Sequence, residues 1–252
     1  MIDLYYYTSP NARKVLMALE EMRLPYQVQW IDISAGDQHA APYGQVNPNR
    51  KIPALIDHDG PGGKPVVLFE SGACLLYLAE KTGQLIPADP IKRWDVIKWL
   101  FWQTSSQGPL LGQAAHFVSH AAKRGIANDY AVQRYSNEAA RLYGVMESHL
   151  ATQATAGQLY VAGEFSIADI AAFPWVRVAK GQGVPIEDFP HVKQWCDRIA
   201  ARPSALKKLE RDEATKLAAK TNYYDDKTWE VLFGNKAGSA SVGKSNVSAV
   251  TS

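Results

Sequence analysis

The chain has 252 residues, 46% hydrophobic and 21% charged, a composition that allows a sizeable core and excludes a disordered protein. Its 27 Lys and Arg stand against 25 Asp and Glu, and a net charge of +2 is too balanced to imply a nucleic-acid partner. No apolar run approaches the ~20 residues of a membrane span. The opening residues MIDLYYYTSPNARK lack a basic segment followed by an apolar one, so no secretory leader and no membrane are expected. Cys74 and Cys196 are the two cysteines and neither sits in a Cys-x-x-Cys pair, which argues against a disulfide framework or a zinc site and makes the cytoplasm the expected location.

Residues 2–7 (IDLYYY) form a β-favouring run closed by the helix-start signal Ser9-Pro10-Asn11. Val15, Leu16, Leu19 and Met22 then recur at helical spacing over 12–23. Residues 26–32 alternate as a strand, and a short helical stretch fits 38–47. Residues 54–58 and 65–69 read as two strands around the turn Asp59-Gly60-Pro61-Gly62-Gly63. Ser71 opens a helix ending at Gly83. The order β-α-β-α-β-β-α over 1–83 predicts a small α/β domain.

Residues 84–91 carry two prolines and read as a linker. Beyond them the periodic segments are helical: 91–123 with a break near Gly108-Pro109, then 129–152, a helix from Ser166, 188–202 and 204–220. Ser166-Ile167-Ala168-Asp169 has the form of a capping box. The expected fold is therefore α/β plus all-α, with an all-helical unit over 92–220 and an extension over 221–252. Its last part, 235–252, has the small, polar composition of a disordered tail.

Two motifs are formal matches without supporting context. Residues 238–245 (GSASVGKS) match G-x-x-x-x-G-K-[ST], but no helix of useful length can follow to face a phosphate. His116 and His120 share a helix face, yet Phe117 stands where a metalloprotease helix needs Glu, so no metal is expected. Cys74 and Cys196 lie in apolar surroundings and read as buried, which leaves any thiol chemistry to a bound cofactor.

Three stretches of the first domain carry the remaining signal. In Asn49-Arg50-Lys51-Ile52-Pro53 the proline either begins a strand or, if its peptide bond is cis, turns the N–H and C=O of Ile52 outward toward an extended peptide. Glu70-Ser71-Gly72 reads equally as a plain helix cap or as an anion site with a carboxylate beside it for an ammonium group. Thr8-Ser9-Pro10-Asn11 is either an N-cap or a set of donors for an external thiolate. Together they describe a groove for a zwitterionic peptide carrying a thiol.

At these residues the chain resembles the cytosolic glutathione transferases, over about 220 of its 252 residues. Lys51-Ile52-Pro53-Ala54 is similar to the family's cis-proline segment, Glu70-Ser71 to its γ-glutamyl site and Ser166–Asp169 to its folding box. Tyr5, Ser9-Pro10-Asn11, Gln38, Asn47-Pro48-Asn49, residues 68–72, Leu100-Phe101-Trp102-Gln103, Gly108-Pro109 with Gly112-Gln113, and Arg134-Tyr135 resemble the bacterial nu class. The resemblance implies a thioredoxin-like N-terminal domain, a helical C-terminal domain, glutathione as cofactor and a homodimer.

It further implies that Asn11, with Ser9 or Thr8, bonds the glutathione sulfur, and that Ile52, beside Pro53, makes backbone bonds to the cysteinyl part. Glu70 and Ser71 would bind the γ-glutamyl end and Gln38 and Lys51 the glycyl end, while Arg134 would neutralise a carboxylate. Tyr6 and Tyr7 keep a tyrosine-assisted mechanism open. The implied activity is glutathione-dependent thiol–disulfide exchange on a small disulfide. The alternatives are transfer or lyase chemistry on an aromatic electrophile, with Trp94, Trp99, Phe101, Trp102 and Phe117 as a candidate pocket, and a non-catalytic glutathione-binding regulator. Tyr223, Tyr224 and Trp229 are candidates to fold over the pocket mouth.

Overall fold

Residues 1–212 and 225–234 are described in the structure, a computed structural model. Four strands, β1 (Ile2–Tyr6), β2 (Tyr26–Trp30), β3 (Ala54–Asp57) and β4 (Val66–Phe69), form one mixed sheet in the order β2-β1-β3-β4. β1 runs parallel to β2 and antiparallel to β3, and β3 pairs antiparallel with β4. The parallel pair needs a crossover, supplied by α1 (Pro10–Glu21). Ser9 caps this helix by accepting the Ala12 N–H at 3.2 Å, and Pro10 fits the first turn, where its missing N–H costs nothing. α2 (Ala41–Val46) precedes β3, and α3 (Ser71–Thr82) follows β4 and stops at Gly83, which takes the left-handed φ of 66°. This is the expected β-α-β-α-β-β-α order.

The rest is helical: α4 (Pro90–Trp102), α5 (Gly108–Ala115), α6 (Asp129–Thr155), α7 (Ile167–Val176), α8 (Pro190–Ala200), α9 (Pro203–Leu206) and α10 (Asp226–Phe233). The molecule thus joins a thioredoxin-like α/β domain to an all-helical one. A single buried cluster runs from Leu4 and Leu55 of the sheet through Leu16 of α1 to Ile170 and Phe173 of α7. The capping box at α7 is present: Asp169, fully buried, accepts the N–H groups of Ser166 and Val161, both at 3.0 Å, and the Trp195 indole N–H at 2.8 Å. Among the described residues no helix is long and apolar enough to cross a membrane.

Two helix expectations are corrected. The chain does not break at Gly108-Pro109; residues 103–107 form a π turn that carries α4 into α5, with the Gly108 N–H bonded to the Gln103 carbonyl. The wider turn accommodates Pro109, which has no N–H to donate. Nor is there one helix from 204: α9 ends at Leu206 and Lys207 turns extended. The Arg13 guanidinium takes the carbonyls of Ala205 (3.1 Å) and Lys207 (2.7 Å), which a continuing helix would use.

α10 packs on a second π turn, residues 116–121, with the Trp229 and Phe233 rings 5.6 and 4.8 Å from His116 and Asp226 bonded to Arg124 at 2.7 Å. Tyr223, Tyr224, the 238–245 motif and the tail 235–252 lie outside the described residues.

Candidate active site between the sheet and the helices

A cleft of about 490 Å³ opens where α1, α3 and the segment before β3 meet the α4–α5 turn and α7. α1 contributes Asn11 and Lys14, and the loop contributes Asn47, Asn49, Lys51, Ile52 and Pro53. Glu70 and Ser71 come from the start of α3, Gln103 and Thr104 from the π turn, and Trp175 from α7.

The loop is held from within. Asn47 is buried; its amide donates to the Lys51 carbonyl at 2.5 Å and its oxygen accepts the Asn49 N–H at 2.9 Å. The Tyr43 hydroxyl bonds the same carbonyl at 2.6 Å. This fixes the approach to the Ile52–Pro53 peptide, which is cis. Ile52 lies two residues ahead of β3, so its N–H and C=O stand outside the ladder.

Glu70 has φ 67° and ψ 115°, a conformation unfavourable for any residue with a Cβ, and it joins β4 directly to α3. Strain of this kind collects at ligand sites, and here it points an exposed carboxylate beside the open N-terminus of α3. Asn49 steadies that carboxylate through its amide at 3.4 Å. Ser71 behind it is buried.

Asn11 is oriented by a partner 164 residues away, the Trp175 indole N–H, which donates to its Oδ1 at 3.0 Å. With the oxygen engaged, the two amide hydrogens are left to face a ligand acceptor. Room for the indole comes from Gly108 and Gly112 of α5, where an added Cβ would lie 3.3 Å from Trp175 at either position.

The other predicted residues fall elsewhere. Thr8 and Ser9 line a neighbouring cavity of about 390 Å³, together with Arg13, Phe173 and Arg177. The Thr8 hydroxyl donates to Asp212 at 2.7 Å, and the buried Tyr6 hydroxyl donates to the same carboxylate at 3.2 Å. Burial raises the Tyr6 hydroxyl to about 12, and Tyr7 bonds Ser34 at 3.4 Å. Gln38 is buried with its amide on the Ile33 carbonyl at 3.3 Å, and Arg134 lies on α6 with Glu138 at 3.9 Å; neither lines the cleft. Trp94, Trp99, Phe101, Trp102 and Phe117 do not line it either. Phe117 stacks on Tyr135 and Trp99 packs edge-on against Trp102.

No protein thiol is placed to react. Cys74 and Cys196 are buried and free, and burial pushes their thiols up to about 12 and about 11. Among the described residues no group of three His, Cys, Asp or Glu is placed to hold a metal ion.

Lys14 and Trp175 escape a reading from sequence. Lys14 does share the inward face of α1 with Asn11 and Ala18, three and four positions away, and that spacing was the available signal. Trp175 sits in the apolar run IAAFPWV and reads as plain core.

The sequence profile of the glutathione S-transferase N-terminal domain matches residues 8–81, and that of the C-terminal domain matches residues 113–203. The chain belongs to the glutathione S-transferase family. It is 44% identical over 206 residues to the disulfide-bond oxidoreductase YfcG of Escherichia coli, spanning 81% of this chain and 92% of that one. A glutathione transferase from Pseudomonas putida, solved with one glutathione disulfide bound per subunit, superposes with a TM-score of 0.76 at 39% identity, over 81% of this chain and 89% of that one. A family member from Pseudomonas fluorescens with two glutathione bound gives 0.75 at 40% identity, over 81% and 90% of the two chains.

Proposed function

We propose that this glutathione S-transferase is a glutathione-dependent thiol–disulfide oxidoreductase of the nu-class type. The observation that carries the reading is the Asn11 carboxamide, turned by Trp175 to present donors in a cleft where the protein has no reactive thiol of its own. The relatives named as a disulfide-bond oxidoreductase and solved with glutathione disulfide agree with it.

The cleft fits a zwitterionic tripeptide thiol. A strained, exposed Glu70 carboxylate suits an ammonium group, and the α3 N-terminus with Ser71 and the buried Lys14 suits a carboxylate. Ile52, outside the β3 ladder, offers its backbone N–H and C=O beside Pro53, and Lys51 stands exposed for a terminal carboxylate. Asn11 would hold the sulfur. Thr8 and Ser9 line the adjoining cavity, Thr8 donating to Asp212 and Ser9 capping α1, so the reading rests on Asn11 for the sulfur.

Bound glutathione supplies the thiolate that attacks a disulfide sulfur. The chain's task is to keep that sulfur ionised and in place. A thiol of pKa ~8.5 is about 3% ionised at pH 7, and bringing it to ~6.5 takes about 2.7 kcal/mol, within reach of two charge-assisted hydrogen bonds.

A homodimer in the cytoplasm completes the reading. Ile91, Trp94 and Phe101 form an exposed apolar stripe along one face of α4, and Val67 and Phe69 are exposed on the edge strand β4. Large apolar side chains exposed together on one face suit a subunit interface.

The test is turnover with glutathione, one arm using 2-hydroxyethyl disulfide and the other a chloronitrobenzene. Disulfide turnover that persists in Cys74→Ala/Cys196→Ala and collapses in Asn11→Ala is expected. Conjugation without disulfide turnover would overturn the oxidoreductase reading.

A further inference from the structure

We propose that Lys14 is a positioning residue for anion recognition: from beneath the cleft its ammonium fixes Ser71 as a hydrogen-bond donor, and so selects a carboxylate at the γ-glutamyl end of the bound peptide. The proposal rests on the glutathione reading above and extends it to a buried lysine at the floor of the cleft.

Lys14 is 1% exposed, and its Nζ donates to Ser71 Oγ at 3.2 Å and to Gln103 Oε1 at 2.6 Å. Among the described residues it has no ion pair; Glu70 acts on it across a distance and opposes the effect of burial. A buried cation without a counter-ion is costly to fold, and a Met of similar length would be the more stable occupant. The buried ammonium gains a counter-ion when one arrives with the ligand.

The hydrogen-bond inventory sets which ligand group that is. An ammonium can only donate, so Ser71 Oγ must accept from it, and the one proton of the hydroxyl is turned to another acceptor. That acceptor is an oxygen in the cleft. A ligand ammonium on Ser71 would meet a cation and an occupied lone pair, whereas the adjacent Glu70 offers it a carboxylate. Glu70 and Ser71, neighbours in sequence, thereby sort the two charges of an amino-acid head group, and Lys14 enforces the sorting. Gln103 holds Lys14 in register: with its oxygen on the ammonium, its Nε2 is buried without a partner and faces Gly108, where a Cβ would lie 2.9 Å away.

The experiment is calorimetric binding of S-methylglutathione, which carries no free thiol, and of its analogue with the γ-glutamyl α-carboxyl converted to a primary amide. Wild type is expected to prefer the acid by ~10–100-fold, the range of a charge-assisted hydrogen bond. In Lys14→Met the acid should weaken until the preference is lost, with amide binding unchanged and the melting temperature unchanged or raised. Ser71→Ala, which leaves the buried lysine in place, should flatten the preference in the same way and guards against a misfolded Lys14 variant. An undiminished preference in Lys14→Met, or equal loss for acid and amide, overturns the proposal. Failure of wild type to bind S-methylglutathione at all would instead overturn the glutathione reading, and the proposal with it.

Discussion

The Trp175 indole N–H and the Asn11 side-chain oxygen, 3.0 Å apart, tie the helical domain to the first turn of α1. The bond decides which end of the Asn11 amide faces the cleft, so the chemistry of a residue in the α/β domain is set by a side chain in the other domain.

Trp175→Phe keeps the ring against Gly112 and removes the donor. Asn11 can then flip, and kcat/KM for disulfide turnover should fall about 5–30-fold, the loss of one hydrogen bond of ~1–2 kcal/mol. Asn11→Ala should cost more, about 10–150-fold, since it removes a bond to a charged sulfur. In both variants the sulfur is less stabilised as an anion, so its pKa rises and the acidic limb of the pH–rate profile moves to higher pH. A profile that stays in place while the rate falls would remove Asn11 from the sulfur.

Gly72 sets how closely α3 approaches the π turn, because a Cβ there would lie 2.7 Å from Thr104 Cγ2. Gly72→Ala should destabilise by ~1–3 kcal/mol through overpacking and displace Ser71 from Lys14, weakening S-methylglutathione binding. Adding Thr104→Ser removes the clashing methyl and should restore both. Chemical denaturation and calorimetry read the two effects; a double variant no better than the single would show that the contact is not the cause.

The order of elements along the chain, α1 and the capping box of α7 were legible because each rests on local chemistry: alternation in IDLYY, Ser9-Pro10, and Ser166 followed by Asp169. Turn and cap signals drew notice to Glu70, Ser71 and Ile52 but fitted a plain helix cap or strand start equally well, and the family resemblance supplied their candidate roles. Lys14 and Trp175 were not legible, because their roles depend on contacts across 89 and 164 residues, with Gln103 and Asn11. The helix through Pro109 was misread for a different reason. A π turn lets proline sit inside a continuous helix, and local sequence weighs proline only as a breaker.

Asp169 anchors the helical domain. Burial pushes its carboxyl up to about 6, while its hydrogen-bond donors favour the carboxylate. Asp169→Ala leaves the Val161 and Ser166 N–H groups and the Trp195 indole without an acceptor, and a loss of ~3–5 kcal/mol is expected by denaturant titration. A loss below about 1 kcal/mol would mean that water replaces the carboxylate there.

Burial brings Lys14 down to about 7 from the ordinary 10.5, against the opposing charge of Glu70 at the β4–α3 junction; the π turn faces it with neutral Gln103 and α3 with the neutral Ser71 hydroxyl. A bound carboxylate favours the ammonium, so the group has a higher pKa in the complex and binding takes up a proton. Affinity for S-methylglutathione should therefore be greatest below about pH 7 and decline as pH rises through and above it, by up to ~10-fold per unit of pKa difference. Folding responds in the opposite sense. The unfolded chain, with an ordinary lysine, holds more protons than the folded one between about 7 and 10.5, so this group's contribution to stability rises with pH across that window and is flat below it. Calorimetry in buffers of different ionisation enthalpy counts the proton taken up, and both trends should vanish in Lys14→Met. Binding that is independent of pH from about 6 to about 9 would mean that Lys14 keeps one protonation state throughout.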